Sequence, residues 1–171
     1  DAWYAPAVDY VKYGRIMNGM GSNRFQPNTQ MTRAMFAQVL YALEGAPSVR
    51  GLSCPFTDAG GSWYTDVIWA YNAGVVAGVS PTRFAPNEAL TREQMVTMLY
   101  GYAGREQALS GPDGALAGYQ DQARVSTWAR AAMAWAVGTG VIAGTSATTL
   151  APRKTGTRAE FATVLMRFCE Q

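Results

Sequence analysis

The chain contains no histidine. That removes the side chain most often used as a general base near neutral pH and the commonest metal ligand. Cysteine is almost as scarce. Cys54 and Cys169 lie far apart in no metal-ligand spacing, and read either as a pair formed in an oxidising compartment or as two idle thiols. Charged residues make up only 15%, and the formal net charge of +2 comes without any lysine or arginine block. Neither nucleic acid nor an anionic membrane surface is therefore expected as a partner. Apolar runs are short and broken by polar residues, so no membrane span is expected. No signal peptide opens the sequence, which starts at Asp1-Ala2-Trp3 and reads as a processed or excised piece. What the chain does have is apolar surface: 49% of its 171 residues are hydrophobic, enough for a folded, globular core.

It also has repetition. Thr32-Arg33-Ala34-Met35, Thr91-Arg92-Glu93-Gln94 and Thr157-Arg158-Ala159-Glu160 each precede an apolar run: Phe36-Ala37-Gln38-Val39-Leu40, Met95-Val96-Thr97-Met98-Leu99 and Phe161-Ala162-Thr163-Val164-Leu165. A threonine followed three residues later by Glu or Gln, ahead of helical spacing, is a capping box. Thr32, Thr91 and Thr157 are read as helix caps, with Glu160 as the full reciprocal partner, Gln94 a substitute and Met35 a lost one. An arginine follows each threonine at the first helical position, where the helix dipole favours negative charge. A cation set beside free N–H groups three times over calls for an anionic partner.

The rest of the chain falls into register with these segments. Units one and two match at an offset of 59 residues, units two and three at 66. The landmarks are Trp3-Tyr4, Trp63-Tyr64 and Trp128; then Arg15 to Gly19, Gly74 to Gly78 and Gly140 to Gly144; then Phe25-Gln26-Pro27-Asn28, Phe84-Ala85-Pro86-Asn87 and Leu150-Ala151-Pro152-Arg153. Each unit reads as helix, Gly/Pro-rich loop, helix. Gly74 and Gly140 are expected as left-handed caps of the first helix, and in unit one Arg15 takes the matched position. The second helices are expected over 33–43, 92–102 and 158–168. The units span 1–44, 56–103 and 119–171, with linkers at 45–55 and 104–118. Phe56-Thr57-Asp58 and Tyr119-Gln120-Asp121 open units two and three, whereas unit one shows only Asp1 ahead of its tryptophan, as though its opening were cut off. A two-helix unit cannot bury its own apolar face, so three must pack together. The expected fold is all-α, three helix-loop-helix repeats with approximate threefold symmetry forming one domain.

These residues resemble the S-layer homology domain in tandem triplicate. That family's Phe-x-Asp opening, Trp-Tyr pair, Gly-Ile-Ile-x-Gly segment, Phe-x-Pro-Asn loop and Thr-Arg-Ala-Glu helix start correspond here to Phe56/Asp58, Trp63/Tyr64, Gly74 to Gly78, Phe84 to Asn87 and Thr91-Arg92. The resemblance covers almost everything but the linkers. It implies a three-pronged, pseudo-trimeric helical domain that holds exported proteins on the bacterial surface without a covalent bond. The implied partner is a cell-wall polysaccharide attached to peptidoglycan, often bearing pyruvate ketals, bound in grooves between units. Family roles carry over to Arg33, Arg92 and Arg158 as carboxylate-binding residues, and to Gly74, Gly78, Gly140, Asp58 and Asp121 as groove backbone or polar contacts. The groove using Arg92 and Gly74 is expected to be the most intact, since unit one has Arg15 for glycine and unit three has Leu150 for phenylalanine and Arg153 for asparagine. The isolated domain is expected to be monomeric and extracellular.

Residue chemistry supports two readings of the arginines. A guanidinium at a helix N-terminus suits a small carboxylate. Equally, Arg33, Arg92 and Arg158 could pair with Asp58, Asp121 or Asp66 of a neighbouring unit and lock the assembly. Trp3, Trp63 and Trp128 could stack on sugar rings or pack the first helix against its neighbour, while Trp69 and Trp135 read as core. No cofactor, metal site or enzyme activity is expected: the acids Asp58, Asp66, Asp121, Glu93 and Glu160 are scattered or used in caps, and a glycosidase needs two flanking one cleft. Beside the anchor stand a protein-interaction or lattice module with vestigial grooves, and a glycan hydrolase.

Overall fold

The computed structural model describes residues 2–22, 24–112 and 114–171; Asp1, the acid read ahead of Trp3, lies outside them. Among the described residues there are six α-helices and no strand: α1 Ala5–Tyr13, α2 Arg33–Leu43, α3 Tyr64–Asn72, α4 Arg92–Ala103, α5 Arg130–Gly138 and α6 Arg158–Cys169. Each unit supplies two, as the repeats require. The pairing is less obvious from sequence. A helix does not pack on the other helix of its own unit: α2 packs on α3, α4 on α5, and α6 returns to α1. Each lobe is thus the second helix of one unit against the first helix of the next, and the α1–α6 pair closes the ring.

The second helices lie innermost, which explains their burial. Phe36, Ala37, Val39 and Leu40 of α2 are all buried, as are Met95, Val96, Met98 and Leu99 of α4, and Phe161, Ala162, Val164 and Leu165 of α6. These broad apolar faces serve two neighbours at once, the lobe partner and the centre. At the centre the residues ahead of the three capping threonines form a closed ring of backbone hydrogen bonds. Met31 N–H donates to Gly156 O (3.0 Å), Gly156 N–H to Leu90 O (3.2 Å) and Leu90 N–H to Met31 O (2.8 Å). A side chain on Gly156 would collide with the Phe161 ring, so this glycine makes room for an aromatic on the axis, where Phe161 meets Phe36 edge-on at 5.8 Å.

The caps follow the sequence closely. Thr91 and Thr157 form complete capping boxes with Gln94 and Glu160, while Thr32 accepts only from Met35 N–H. α3 ends in a Schellman motif: Gly74, at φ 71°, donates to Tyr71 O, and Val75 N–H reaches Ala70 O. Arg15 adopts the same left-handed conformation at φ 56°, with Ile16 N–H on Val11 O. The linkers are packed rather than loose: Tyr41 Oη donates to Pro47 O and Tyr100 Oη to Leu109 O, and Gly111 lies against the α5 backbone at Ala134. Cys54 and Cys169 are both free thiols.

One core position is out of keeping. Asp66 in α3 stands where units one and three carry the buried Ala7 and Ala132. It is itself buried, and burial alone pushes its carboxyl up to about 6. A raised carboxylate destabilises the fold once ionised: the cost is absent below the unfolded value near 3.8, grows through about 6 and is complete above it.

Two stability predictions follow from these positions. Arg15→Gly removes a side chain from a left-handed residue and should stabilise the protein by about 0.5–1 kcal/mol, read as a raised thermal midpoint. Asp66→Ala should stabilise by about 1–2 kcal/mol at pH 7.5 and by much less at pH 4, read from urea unfolding at both values.

Candidate functional site

The three Thr-Arg corners are where the units are joined. In α2 the first two N–H groups, on Arg33 and Ala34, donate to Glu88 O and Pro86 O of unit two (2.9 and 3.0 Å). In α4, Arg92 and Glu93 N–H donate to Lys154 O and Pro152 O of unit three (both 2.9 Å), and in α6, Arg158 and Ala159 N–H donate to Thr29 O and Pro27 O of unit one (2.8 and 3.0 Å). With the threonine hydroxyl on the third N–H, the helix N-termini are already satisfied by protein.

The guanidinium groups reinforce the same joints. Arg33 Nε donates to Phe84 O and its Nη2 to Ala77 O, both 2.8 Å. Arg92 meets Leu150 O at 2.9 Å and Ala143 O at 2.5 Å. Arg158 meets Phe25 O at 2.9 Å and Asn18 O at 2.6 Å. The three are 7, 8 and 5% exposed, and Arg33 and Arg158 also lie over the Phe84 and Phe25 rings at 4.7 and 4.6 Å. None makes an ion pair among the described residues. Carbonyl oxygens take the place of the carboxylate partners that residue chemistry offered. The Nη1 edge of each remains without a protein acceptor among the described residues.

Asp58 and Asp121 hold the same loops from the other side. Asp58 accepts from Phe84 N–H (2.8 Å) and Ala85 N–H (2.9 Å), and these bonds, with Arg83 nearby, hold its carboxyl below the ordinary carboxylate range. Asp121 accepts from Leu150 and Ala151 N–H, both at 2.8 Å; burial would raise it, but the two backbone bonds win. Gly78 belongs to this loop too, since a side chain there would strike the Ser80 carbonyl and the Phe56 ring.

Grooves open beside the corners. One, of about 340 Å³, is lined by Trp3 of unit one, Arg92 of unit two, and Ile142 to Thr145, Lys154, Glu160, Thr163, Val164 and Arg167 of unit three. A second, of about 310 Å³, has the cyclically equivalent lining: Trp63, Arg158, Ile16 to Met20, and Met35, Gln38, Val39 and Ala42 of α2. The third position of the ring is built around Arg33, Ala77 and α4, with the 3-10 turn Thr127–Ala129 bearing Trp128 packed on α4. Glu93 fixes that turn by accepting from Ser126 N–H (2.9 Å) and Oγ (2.8 Å), a role that sequence did not indicate. Trp3 and Trp128 are 67 and 58% exposed, whereas Trp69 and Trp135 are buried, as their helical positions implied.

Arg92 therefore shares its groove with Ala143 and Gly144, and not with Gly74. Gly74 lies beside Gly101 near the other end of α4, about 13 Å along the helix from Arg92 at 1.5 Å per residue. Gly140, left-handed at φ 76°, ends α5. Sequence reasoning missed Lys154 and Arg167 as groove residues, although Arg167 lies on the helix stripe of Glu160, Thr163 and Val164.

A family model described as the S-layer homology domain matches residues 1–37, 55–96 and 118–162. The chain belongs to the S-layer homology domain family. It is 32% identical to the surface-layer 125 kDa protein of Lysinibacillus sphaericus over 96% of this chain and 14% of that protein. It is 29% identical to an amylopullulanase of Thermoanaerobacterium thermosulfurigenes over 100% of this chain and 9% of the relative. An endoglucanase of Bacillus sp. (strain KSM-635) is 30% identical over 96% of this chain and 17% of its own length. The chain thus spans under a fifth of these curated relatives. As an S-layer homology domain it is a cell-surface, wall-associated module whose general role is anchoring.

The joint-holding duty of the arginines can be tested without changing charge. Arg92→Lys keeps the cation but cannot reach Leu150 O and Ala143 O in the same planar fork. It should lower stability by about 2 kcal/mol, measured by chemical denaturation.

Proposed function

We propose that this domain holds an exported bacterial protein on the wall by binding an anionic secondary cell-wall polysaccharide, attached to peptidoglycan and bearing pyruvate ketals, in the grooves between units. The observation that carries this reading is the pairing in each groove of an exposed or half-exposed tryptophan with a guanidinium edge: Trp3 with Arg92 and Trp63 with Arg158. An indole face suits a sugar ring, and a guanidinium suits a ketal carboxylate. Arg33 with Trp128 would form the third such corner. Gly144 and its neighbours, with the loops clamped by Asp58 and Asp121, shape the backbone walls, while Gly74, Gly78 and Gly140 set the turns behind them.

The module works without catalysis. Asp58 and Asp121 are spent on backbone N–H groups, Glu160 caps α6 and pairs with Lys154, and Glu93 holds the Trp128 turn. Among the described residues no two free carboxylates flank either groove. Binding alone is what the geometry supports.

Sacculi retaining their polysaccharide should pull the domain down, and sacculi stripped of it should not. Trp3→Ala combined with Trp63→Ala should weaken the retention about tenfold or more, while leaving the circular-dichroism spectrum intact. Calorimetry with a pyruvylated disaccharide should give tighter binding than the same sugar without pyruvate. Equal retention on stripped walls would overturn the reading, and reducing ends released from the walls would overturn its non-catalytic part.

A further inference from the structure

The three corners share one architecture but not one electrostatics. On the groove-facing stripe of the second helix, α6 presents Glu160, Thr163, Val164 and Arg167. The matching residues are Met35, Gln38, Val39 and Ala42 on α2, and Gln94, Thr97, Met98 and Gly101 on α4. The loop residue at the corner is Lys154 in the Arg92 groove, Thr29 in the Arg158 groove and Glu88 beside Arg33. The Arg92 groove therefore holds three cations and one carboxylate. The Arg158 groove holds a single cation among methionines, aliphatics and the uncharged Asn18, Gln38 and Trp63, and at the third corner Arg33 faces Glu88, which acts on it electrostatically.

Within the Arg92 groove the cations are not equally available. Lys154 Nζ is tied to Glu160 at 3.0 Å. Arg92 is buried and spends Nε and Nη2 on carbonyls. Arg167 is exposed and makes no hydrogen bond or ion pair among the described residues. Burial lowers the Arg92 pKa first, Glu160 and Asp121 oppose that, and Arg167 adds to the lowering. Two guanidiniums thus face one space. Lys154 also lines an adjoining concavity with Arg124, Arg153 and Asp121, so positive charge continues out of this groove along the third unit.

We propose that, among the described residues, the groove between Trp3, Arg92 and α6 is the one anion-selective corner of the three, and that Arg167 is the residue that sets its selectivity for a carboxylate-bearing ligand. The inference rests on the reading of the grooves as glycan sites, and adds which groove reads charge and through which side chain. Arg92 positions the loop and offers one edge, while Arg167 supplies the exposed, unspent fork. At the matched positions the other two second helices carry Ala42 and Gly101. There Arg158 and Arg33 offer a glycan's oxygens only the edge of a buried guanidinium, which holds the ligand without discriminating its charge.

The indole N–H resonances of Trp3, Trp63 and Trp128 report the three corners separately by NMR. Titration with pyruvate, and with a pyruvylated disaccharide against its methyl ester, should shift Trp3 alone in response to charge. Arg167→Ala should weaken binding of the charged sugar about tenfold or more and leave the ester unaffected. Arg50→Ala, an exposed change of equal net charge, should bind as the parent does. Ala42→Arg should bring Trp63 into the charge-dependent response. Charge-dependent shifts at Trp63 or Trp128 in the unaltered chain, no response at Trp3, or unchanged affinity in Arg167→Ala would each overturn the proposal. Pyruvate tests it even where walls do not bind. Conversely, polysaccharide-dependent wall retention that survives Arg167→Ala would leave the anchoring reading standing and remove this one.

Discussion

Everything in this fold depends on how the start of each second helix grips the loop of the next unit. Three N–H groups and one guanidinium must find acceptors there, all in buried surroundings where an unsatisfied donor costs about 1–3 kcal/mol. Two N–H groups and the guanidinium take main-chain carbonyls from the neighbour, and the threonine hydroxyl takes the third N–H. The joint recurs three times and closes on itself, α2 to unit two, α4 to unit three, α6 to unit one. No unit can satisfy its own helix start, so cooperativity among the units is imposed by donor accounting as much as by apolar burial.

The gripped loop is strained, and the grip explains how it survives. The residue before each loop proline is left-handed without being glycine: Gln26 at φ 53°, Ala85 at 58° and Ala151 at 51°. Such residues cost about 1 kcal/mol or more apiece. At Ala85 the neighbouring backbone groups are fixed from both sides, Phe84 O by Arg33 and the Phe84 and Ala85 N–H groups by Asp58. Unit three repeats this with Arg92 and Asp121. Steric pressure from the proline keeps the residue out of the right-handed helix, and the two clamps choose the left-handed alternative over an extended one. The centre of the ring shows the same mutual adjustment in packing, where Met31 and Leu90 oppose Gly156 and the missing volume is returned by Phe161.

The helices, their caps and their repeat register were legible because they are local. Thr91-x-x-Gln94 and Thr157-x-x-Glu160 announce their own geometry, Met35 announces its failure, and the second-helix bounds agree within a residue. That three units must associate was also legible, from apolar faces too broad for one unit to cover. Which helix pairs with which was not, because nothing local distinguishes packing within a unit from packing across units. The same gap separated Arg92 from its true neighbours. The motif puts Arg92 and Gly74 in one unit, but the cyclic exchange places the side chain against Ala143 of the next. An arginine at a helix start reads as an anion site when the N–H groups beside it are taken as free, and here the chain itself supplies the acceptors.

This division of labour separates what is fixed in the repeat from what is free to vary. A residue that holds Phe84 O and Ala77 O, or their equivalents, cannot be altered in one unit without loosening a joint, so the three corners must stay alike. The second-helix stripe one turn and more away carries no such duty. Its outer positions run Gln38 and Ala42 in one unit and Thr163 and Arg167 in another, and the fold tolerates both. Positions at the edge of a rigid joint, relieved of holding it, are where three copies of one scaffold can acquire different ligands. The guanidinium that builds a groove need not be the one that chooses what enters it.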